Sequence, residues 1–287
     1  MNNIISIQNL TKHYPSFTLG PIRLDIPGGA IIGLIGENGA GKTTFLKCLL
    51  GIISSNTGEI SILGQDTGKA RSALKEDIGV VLDNAFFPEL LTPSDIARSM
   101  KHFYKNWDDA LFGNYLRDFG LSAKSQIKTF SKGMRKKLEI ATALSHHPKL
   151  LILDEPTSGL DPVVRDDVME IFQNFVSDEE HTILFSTHIT SDLEHIADYI
   201  VFVNKGQIAL EKSRDDILDN YGILRCDEMQ FSKMDAGDII TYRKNAYSYD
   251  VLTDSRRTME RKYPDIVLDK ITLEELMVMM IKGEKKC

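Results

Sequence analysis

The pattern of apolar and polar positions changes character several times along the chain, and each change marks a region. Strands are expected at Ile4–Gln8 and Phe17–Asp25, with an aromatic loop, His13-Tyr14-Pro15, between them and a turn at Pro27-Gly28-Gly29. These two read as an antiparallel pair. The apolar run Ala30–Ile35 leads through a Gly-rich loop into a helix that starts near Gly41, a strand, loop and helix unit, and Gly58–Leu63 and Gly79–Leu82 read as further strands. From about Phe86 to Ser145 the pattern is helical. There Thr92-Pro93-Ser94-Asp95 is a helix start, with Thr92 as the cap, Pro93 at the first helical position and Asp95 three residues after the cap. Strands return at Lys149–Asp154, Thr182–Thr187 and Tyr199–Asn204, separated by helices over Val163–Val176 and around Ser191–Ala197. Alternation of this kind implies a parallel sheet with covering helices. Beyond Tyr221 the charges mix and the chain closes on an amphipathic stretch, Thr272–Ile281. The expected division is therefore residues 1–221, with a helical insertion over about 86–145, followed by a small accessory region, 222–287. No internal repeat is visible.

Composition narrows the class. A chain of 287 residues holds one large domain or two smaller ones, and 42% hydrophobic with 26% charged residues is ordinary for a globular protein. The longest apolar runs, such as Leu150–Leu153 and Ala30–Ile35, are strand-sized and fall short of the roughly 20 residues of a membrane-spanning helix. The start, Met-Asn-Asn-Ile-Ile-Ser, has neither a basic region nor an apolar run, so no secretory signal is read there and a cytoplasmic location is expected. Cys48, Cys226 and Cys287 are too dispersed for a metal cluster or a disulfide framework, and Cys48 reads as a small apolar helix residue. A formal net charge of -7 argues against broad nucleic-acid binding, which needs a dense basic face. The run Arg135-Lys136-Lys137 reads as the solvated face of a helix. Lys282, Lys285 and Lys286, diluted by Glu284, suit either a solvated tail or a contact with lipid headgroups.

The chemistry begins at Gly36-Glu37-Asn38-Gly39-Ala40-Gly41-Lys42-Thr43, which fits G-x-x-x-x-G-K-[ST] between a buried strand and a helix. A chance Gly-rich turn would lack both flanks. Glycines let backbone N–H groups turn toward phosphates, the helix offers its positive end, Lys42 reaches the β- and γ-phosphates, and the Thr43 hydroxyl suits magnesium. The run Leu150-Leu151-Ile152-Leu153-Asp154-Glu155 then ends an apolar strand in two acids. At a strand's carboxyl end Asp154 suits the magnesium shell, while Glu155 suits orientation and activation of an attacking water. In isolation such a pair is an ordinary acidic junction. Beside the phosphate loop it points to hydrolysis.

With these motifs in order, the chain resembles the ABC ATPase family over about residues 3–220. Phe130-Ser131-Lys132-Gly133-Met134 is similar to the family's signature, Ser158-Gly159-Leu160-Asp161 to its D-loop, and Ser186-Thr187-His188 to its switch histidine. The resemblance implies an α/β P-loop NTPase core with a RecA-like parallel sheet, an antiparallel β subdomain, an inserted α-helical subdomain and a C-terminal extension. It implies ATP with Mg2+ as ligands, held by Gly36, Asn38, Gly39, Ala40, Gly41, Lys42, Thr43 and Thr44. Tyr14 stands where the family places an aromatic on adenine, a stack worth about 1–3 kcal/mol by analogy with nucleic-acid platforms. Lys42, Glu155 and His188 are the implied catalytic residues, and Thr43, Asp83 and Asp154 the implied metal side. His146, His147, His181 and His195 are read as structural.

Ser131 and Gly133 open a helix read as Met134–Leu144, and a helix start offers a hydroxyl and N–H groups to an anion. Taken alone, Ser131 is an ordinary cap. In the family the anion is the γ-phosphate on the opposite subunit, so Ser131, Gly133 and Asp161 are expected to face a second ABC ATPase chain, identical or a sister, head to tail. An integral membrane permease is the other implied partner, docked near residues 83–130. Two departures stand out: the signature reads Ser-Lys-Gly-Met, and Asp83 replaces the glutamine of the Q-loop. Aspartate is shorter and charged, which favours a water-bridged contact to magnesium; its alternative is a solvent-facing loop residue. Both departures resemble the ABC-2-type exporters of antibiotics and peptides, YtrB-like ATPases and exporters of phenol-soluble modulins among them. Competing readings are a soluble, non-transport ABC ATPase and a catalytically weak nucleotide-binding partner in a heterodimer.

Overall fold

The computed structural model describes residues 3–67, 74–83 and 87–286. Strands β1 (Asn3–Tyr14) and β2 (Phe17–Pro27) form a hairpin. β1 runs further than its apolar pattern suggests, because a bulge around Asn9, at φ 53°, resets the alternation and keeps Leu10 buried. His13 and Tyr14 therefore lie in the strand, not in a loop, and Tyr14 stands opposite Phe17.

From this hairpin the chain enters β3 (Ile31–Ile35), which is buried throughout, and helix α1 (Lys42–Leu49). β4 (Thr57–Ile62) and β5 (Gln65–Asp66) complete the antiparallel sheet, in the order β2-β1-β4-β5. The second sheet has the order β10-β9-β3-β8-β7-β6, from β6 (Ile78–Val81), β7 (Leu150–Asp154), β8 (Thr182–Thr187), β9 (Tyr199–Asn204) and β10 (Gln207–Ser213). All its pairs are parallel except the edge strand β10 on β9. Alternate residues of its strands face opposite layers. Ile32, Leu34, Ile152, Leu184 and Val201 pack on α1 and the antiparallel sheet, while Ile35, Leu151, Leu153, Phe185 and Phe202 pack on the other face.

The insertion contains α2 (Pro93–Phe103) and α3 (Asp109–Asp118), and its expected start at Phe86 lies outside the described residues. Thr92 caps α2 reciprocally with Asp95. Helix α4 (Lys132–Leu144) starts two residues earlier than the expected Met134, with Ser131 as its cap. Leu138 and Ala141 of α4 join the insertion's cluster, while Ile140 and Leu144 join the core beneath the parallel sheet. That double engagement corrects the reading of Arg135-Lys136-Lys137 as a solvated face. Lys136 and Lys137 are 4% and 9% exposed, Lys136 paired with Glu139 at 2.9 Å and Lys137 with Asp167 at 2.9 Å. Buried ammonium groups are tolerable only when paired in this way.

Helices α5 (Pro162–Phe175), α6 (Thr190–Ile196) and α7 (Arg214–Asn220) cover the rest of the core. The accessory region is a third sheet, antiparallel, in the order β12-β13-β11-β14, from β11 (Gly222–Cys226), β12 (Thr241–Lys244), β13 (Tyr249–Thr253) and β14 (Val267–Lys270). It carries helices α8 (Glu228–Lys233), α9 (Arg256–Lys262) and α10 (Leu273–Lys282). Leu224, Cys226, Tyr249 and Val251 form a cluster with Met234 and Met259; Ile223, Leu252, Leu273, Leu276 and Met279 join the main core. Lys286 is not a free basic tail group: its ammonium donates to the carbonyls of Phe231 and Met234 at 2.6 and 2.8 Å.

No helix among the described residues is long and apolar enough to cross a membrane. One close approach sets the distance between β3 and α6: a Cβ added to Gly33 of β3 would lie 2.5 Å from Leu193 Cδ1 of α6. Gly33→Ala is expected to lower stability by about 1–3 kcal/mol, read as a fall in the urea midpoint at unchanged m-value; an unchanged midpoint contradicts this packing.

Candidate nucleotide site

Three neighbouring parallel strands, β3, β8 and β7, end at the same edge of the sheet, and each hands its next residues to the site. This is the edge where α/β sheets bind ligands. Beyond β3 the loop of residues 36–41 turns with Gly39 at φ 82° and Gly41 at φ 112°, conformations that a side chain resists. Gly41 also lies under Phe17, since an added Cβ would meet Phe17 Cζ at 2.8 Å. The loop is pinned by the Ala40 N–H to Glu37 O at 3.1 Å and by the Gly206 N–H to Ala40 O at 2.9 Å. Thr43 and Thr44 sit in the first turn of α1, whose N-terminal end carries partial positive charge.

Lys42 is buried, and its ammonium donates to Gly36 O at 2.7 Å and Glu37 O at 3.3 Å. Burial lowers its pKa from the ordinary lysine value, opposed by the nearby charges of Glu155 and Asp154. Glu155 Oε1 lies 3.7 Å from the Lys42 ammonium. Asp154, fully buried at the end of β7, accepts from the Thr43 hydroxyl at 2.9 Å and from the Ser186 hydroxyl at 2.9 Å. Oxygens of Thr43 and Asp154 in contact are the hard donors that suit Mg2+, a cation that takes few protein ligands and completes its shell with phosphate and water. The chemistry of the donor set therefore fits the metal.

Glu155 occupies the left-handed region at φ 50°, a conformation that costs of order 1–3 kcal/mol in a residue with a side chain. Its N–H donates to Ser186 O at 2.8 Å, and its Oε2 lies 2.8 Å from His188 Nδ1 and 3.4 Å from the Thr187 hydroxyl. Lys42 and His188, drawn from stretches of sequence far from Glu155 and from each other, thus converge on its carboxylate.

The other expected residues are placed differently. Ser131 Oγ accepts from the Met134 N–H at 3.2 Å, and Asp161 Oδ1 accepts from the Val164 N–H at 3.1 Å, so within one chain each caps its own helix. Gly133 is not demanded by local packing: among the described residues an added Cβ would meet nothing closer than 3.7 Å. The Tyr14 ring is 42% exposed, with the Lys12 ammonium 5.5 Å from its centroid. A groove of ≈ 570 Å³ that runs from the hairpin turn to the phosphate loop is lined by Phe17, Thr18, Asn38, Gly39, Lys205 and Gln207, without Tyr14. Asp83 lies two residues beyond β6, and its charge acts on Glu139 of α4. Burial raises the Glu139 pKa, Lys136 opposes this, and Asp83 adds to it. Of the other histidines, His146 is buried beside Ile78 O at 3.2 Å and stacks on Tyr104, while His147 and His181 pair with Asp108 and Asp178.

Ser186, Thr187 and Phe17 contribute to the site without having been given roles in the sequence. Hydroxyls at the end of a buried strand next to the acidic one are a readable signal for the first two. Phe17 has none, since its contact depends on how the hairpin folds over the loop.

Residues 19–158 match the family model described as ABC transporter. Over 215 residues the chain is 39% identical to the lantibiotic transport ATP-binding protein SrtF of Streptococcus pyogenes, covering 74% of this chain and 92% of that one. It is 33% identical over 215 residues to the bacitracin transport ATP-binding protein BcrA of Bacillus licheniformis, covering 74% and 70%. A solved structure of an ATP binding subunit of an ABC transporter superposes with a TM-score of 0.67 at 28% identity, covering 75% of this chain and 91% of that one. The chain belongs to the ABC transporter family, as an ATP-binding subunit that hydrolyses ATP to power transport.

Lys42→Ala removes the buried cation beside the loop. ATP affinity is expected to fall by about 10- to 100-fold, the scale of a hydrogen bond to a charged group, in an equilibrium titration; unchanged affinity contradicts the role of Lys42.

Proposed function

We propose that this chain drives export of a peptide, toxin or antibiotic through a separate integral membrane permease, working at the inner face of the cell membrane as a head-to-tail dimer with a second ABC ATPase chain, identical or a sister. Residues 1–221 are the motor unit, with the helical subdomain at about 86–145, and residues 222–287 are accessory to it. The observation that carries the reading is the carboxylate of Glu155, placed between Lys42 and His188 at the edge of the sheet. That placement suits a general base acting on water beside the terminal phosphate of bound ATP. The lantibiotic and bacitracin transport ATP-binding proteins among its relatives support the cargo class.

In this reading the N–H groups of Gly36–Thr44 hold the phosphates, Lys42 takes charge from the β- and γ-positions, and Tyr14 stacks on the base. Thr43 and Asp154 would hold Mg2+, with Asp83 as the further candidate on its side of the site. When bound, the cation neutralises charge on the phosphates. Glu155 orients the attacking water and receives its proton, and His188 keeps the carboxylate aimed. Ser131, Gly133 and Asp161 close over the nucleotide of the facing chain, which is supported by their place at the N-terminal ends of α4 and α5.

A surface for the permease is supported by an apolar groove of ≈ 630 Å³ between the end of α1, the edge strand β6 and α2, lined by Leu50, Ile52, Val80, Met100, Phe103 and Tyr104. Phe103 and Ile52 are 73% and 55% exposed there. A second cavity of ≈ 260 Å³ shares Val80, Met100 and Tyr104 and extends to Leu82, Phe87 and Glu139, beside Asp83. An amphipathic helix of the permease's cytoplasmic side fits such a groove and touches both the Q-loop and the insertion.

In vesicles carrying the chain with its permease, the protein is expected to drive ATP-dependent accumulation of an added lantibiotic-type peptide. Glu155→Gln is expected to cut both hydrolysis and accumulation by about 10²–10⁴-fold while nucleotide binding persists. Full hydrolysis in that variant contradicts the role of Glu155, and hydrolysis without peptide accumulation contradicts the cargo class.

A further inference from the structure

Helix α6 begins two residues after His188, and three consecutive side chains on it enter three different parts of the molecule. Asp192, buried, accepts from the Thr157 hydroxyl at 2.7 Å and lies 3.7 Å from Arg165, which ties α6 to the segment just beyond Glu155. Leu193, fully buried, presses on Gly33 of the strand that leads into the phosphate loop. Glu194 points the other way, and its Oε1 accepts from the Leu273 N–H at 2.5 Å. That N–H is one of the orphan donors at the start of α10; another, the Glu275 N–H, donates to the Thr272 hydroxyl at 3.1 Å.

The contact is more than one hydrogen bond. Leu193, Ile196 and Ala197 share a buried cluster with Ile271, Leu273, Leu276 and Met279. Helix α10 is tied back to its own sheet by the Thr241 hydroxyl on Met279 O at 3.1 Å and by Arg225, whose guanidinium lies 2.6 Å from Asp269 and 3.7 Å from Glu275. A helix of seven residues has little stability of its own, so its position is set by what it packs against. One of its three supports is the accessory region.

We propose that residues 222–287 act as a brace that positions the switch helix, with Glu194 and Leu276 as positioning residues that keep His188 Nδ1 on the Glu155 carboxylate. The inference rests on the reading of Glu155 and His188 as the hydrolytic pair. A loosened brace lets α6 shift, and misplacement by about an ångström at a reacting group costs up to about 100-fold in rate. The accessory sheet thereby acts on turnover while leaving the phosphate loop and nucleotide binding intact.

The test uses the full-length chain with Glu194→Ala, Glu194→Gln and Leu276→Ala, read by steady-state ATPase kinetics and by amide hydrogen exchange across residues 186–197 and 271–282. Glu194→Ala and Leu276→Ala are expected to speed exchange in both segments and to lower kcat by about 10-fold with KM for ATP within about twofold. Glu194→Gln, which retains an acceptor for the Leu273 N–H, is expected to restore kcat. Faster exchange at unchanged kcat overturns the proposal, as does unchanged exchange in both alanine variants or a rise in KM that accounts for the whole loss. His188→Ala serves as the reference: if it leaves kcat unchanged, the reading of the hydrolytic pair has failed, and the brace is then judged from exchange alone.

Discussion

One carboxylate held from two sides organises the molecule. Glu155 lies 3.7 Å from the ammonium of Lys42 and 2.8 Å from the imidazole of His188, and its backbone sits in the left-handed region to allow both. Charge in a site this enclosed is tolerable only with close partners, and those partners must come from elements that do not move independently. The parallel order β3-β8-β7 meets the requirement, because it sets the phosphate loop, the switch segment and the acidic pair at one sheet edge. Buried runs such as Leu150–Leu153 and Ile31–Ile35, apolar on both faces, are what hold those strands in the middle of the sheet.

Much of this was legible because it depends on local chemistry. The phosphate loop carries its glycines within eight residues, the acidic pair follows its own strand, and the capping box at Thr92 and Asp95 is written in four residues. The parallel strands appear near their expected bounds, and Thr182–Thr187 and Tyr199–Asn204 coincide with them. What stayed hidden depends on contacts between distant residues. Lys136 and Lys137 read as surface charges, yet their partners Glu139 and Asp167 let them lie buried. The accessory sheet is made of strands of four or five residues, too short for a period of two to stand out. The bulge at Asn9 interrupts the alternation of β1 and shortens the apparent strand.

Within one chain the site is unequal. The phosphate loop, the acids and the switch histidine are drawn together, whereas Ser131 and Asp161 cap their own helices. Capping leaves the other N–H groups of those first turns available to an anion. The open space at Gly133 fits the same picture, since among the described residues no neighbour requires a glycine there. A facing copy related by a two-fold axis would supply two such helix ends to two phosphate loops.

Complementation between two inactive variants tests this most directly. Gly133→Asp keeps ordinary packing for its Cβ but sets a negative charge at the helix end, and Glu155→Gln removes the carboxylate proposed as the base from the other face. Each alone should be nearly inactive, and an equimolar mixture should recover up to about a quarter of the parent ATPase rate, because half of the dimers contain one intact composite site. A mixture no more active than the sum of its parts would contradict a site shared between two copies.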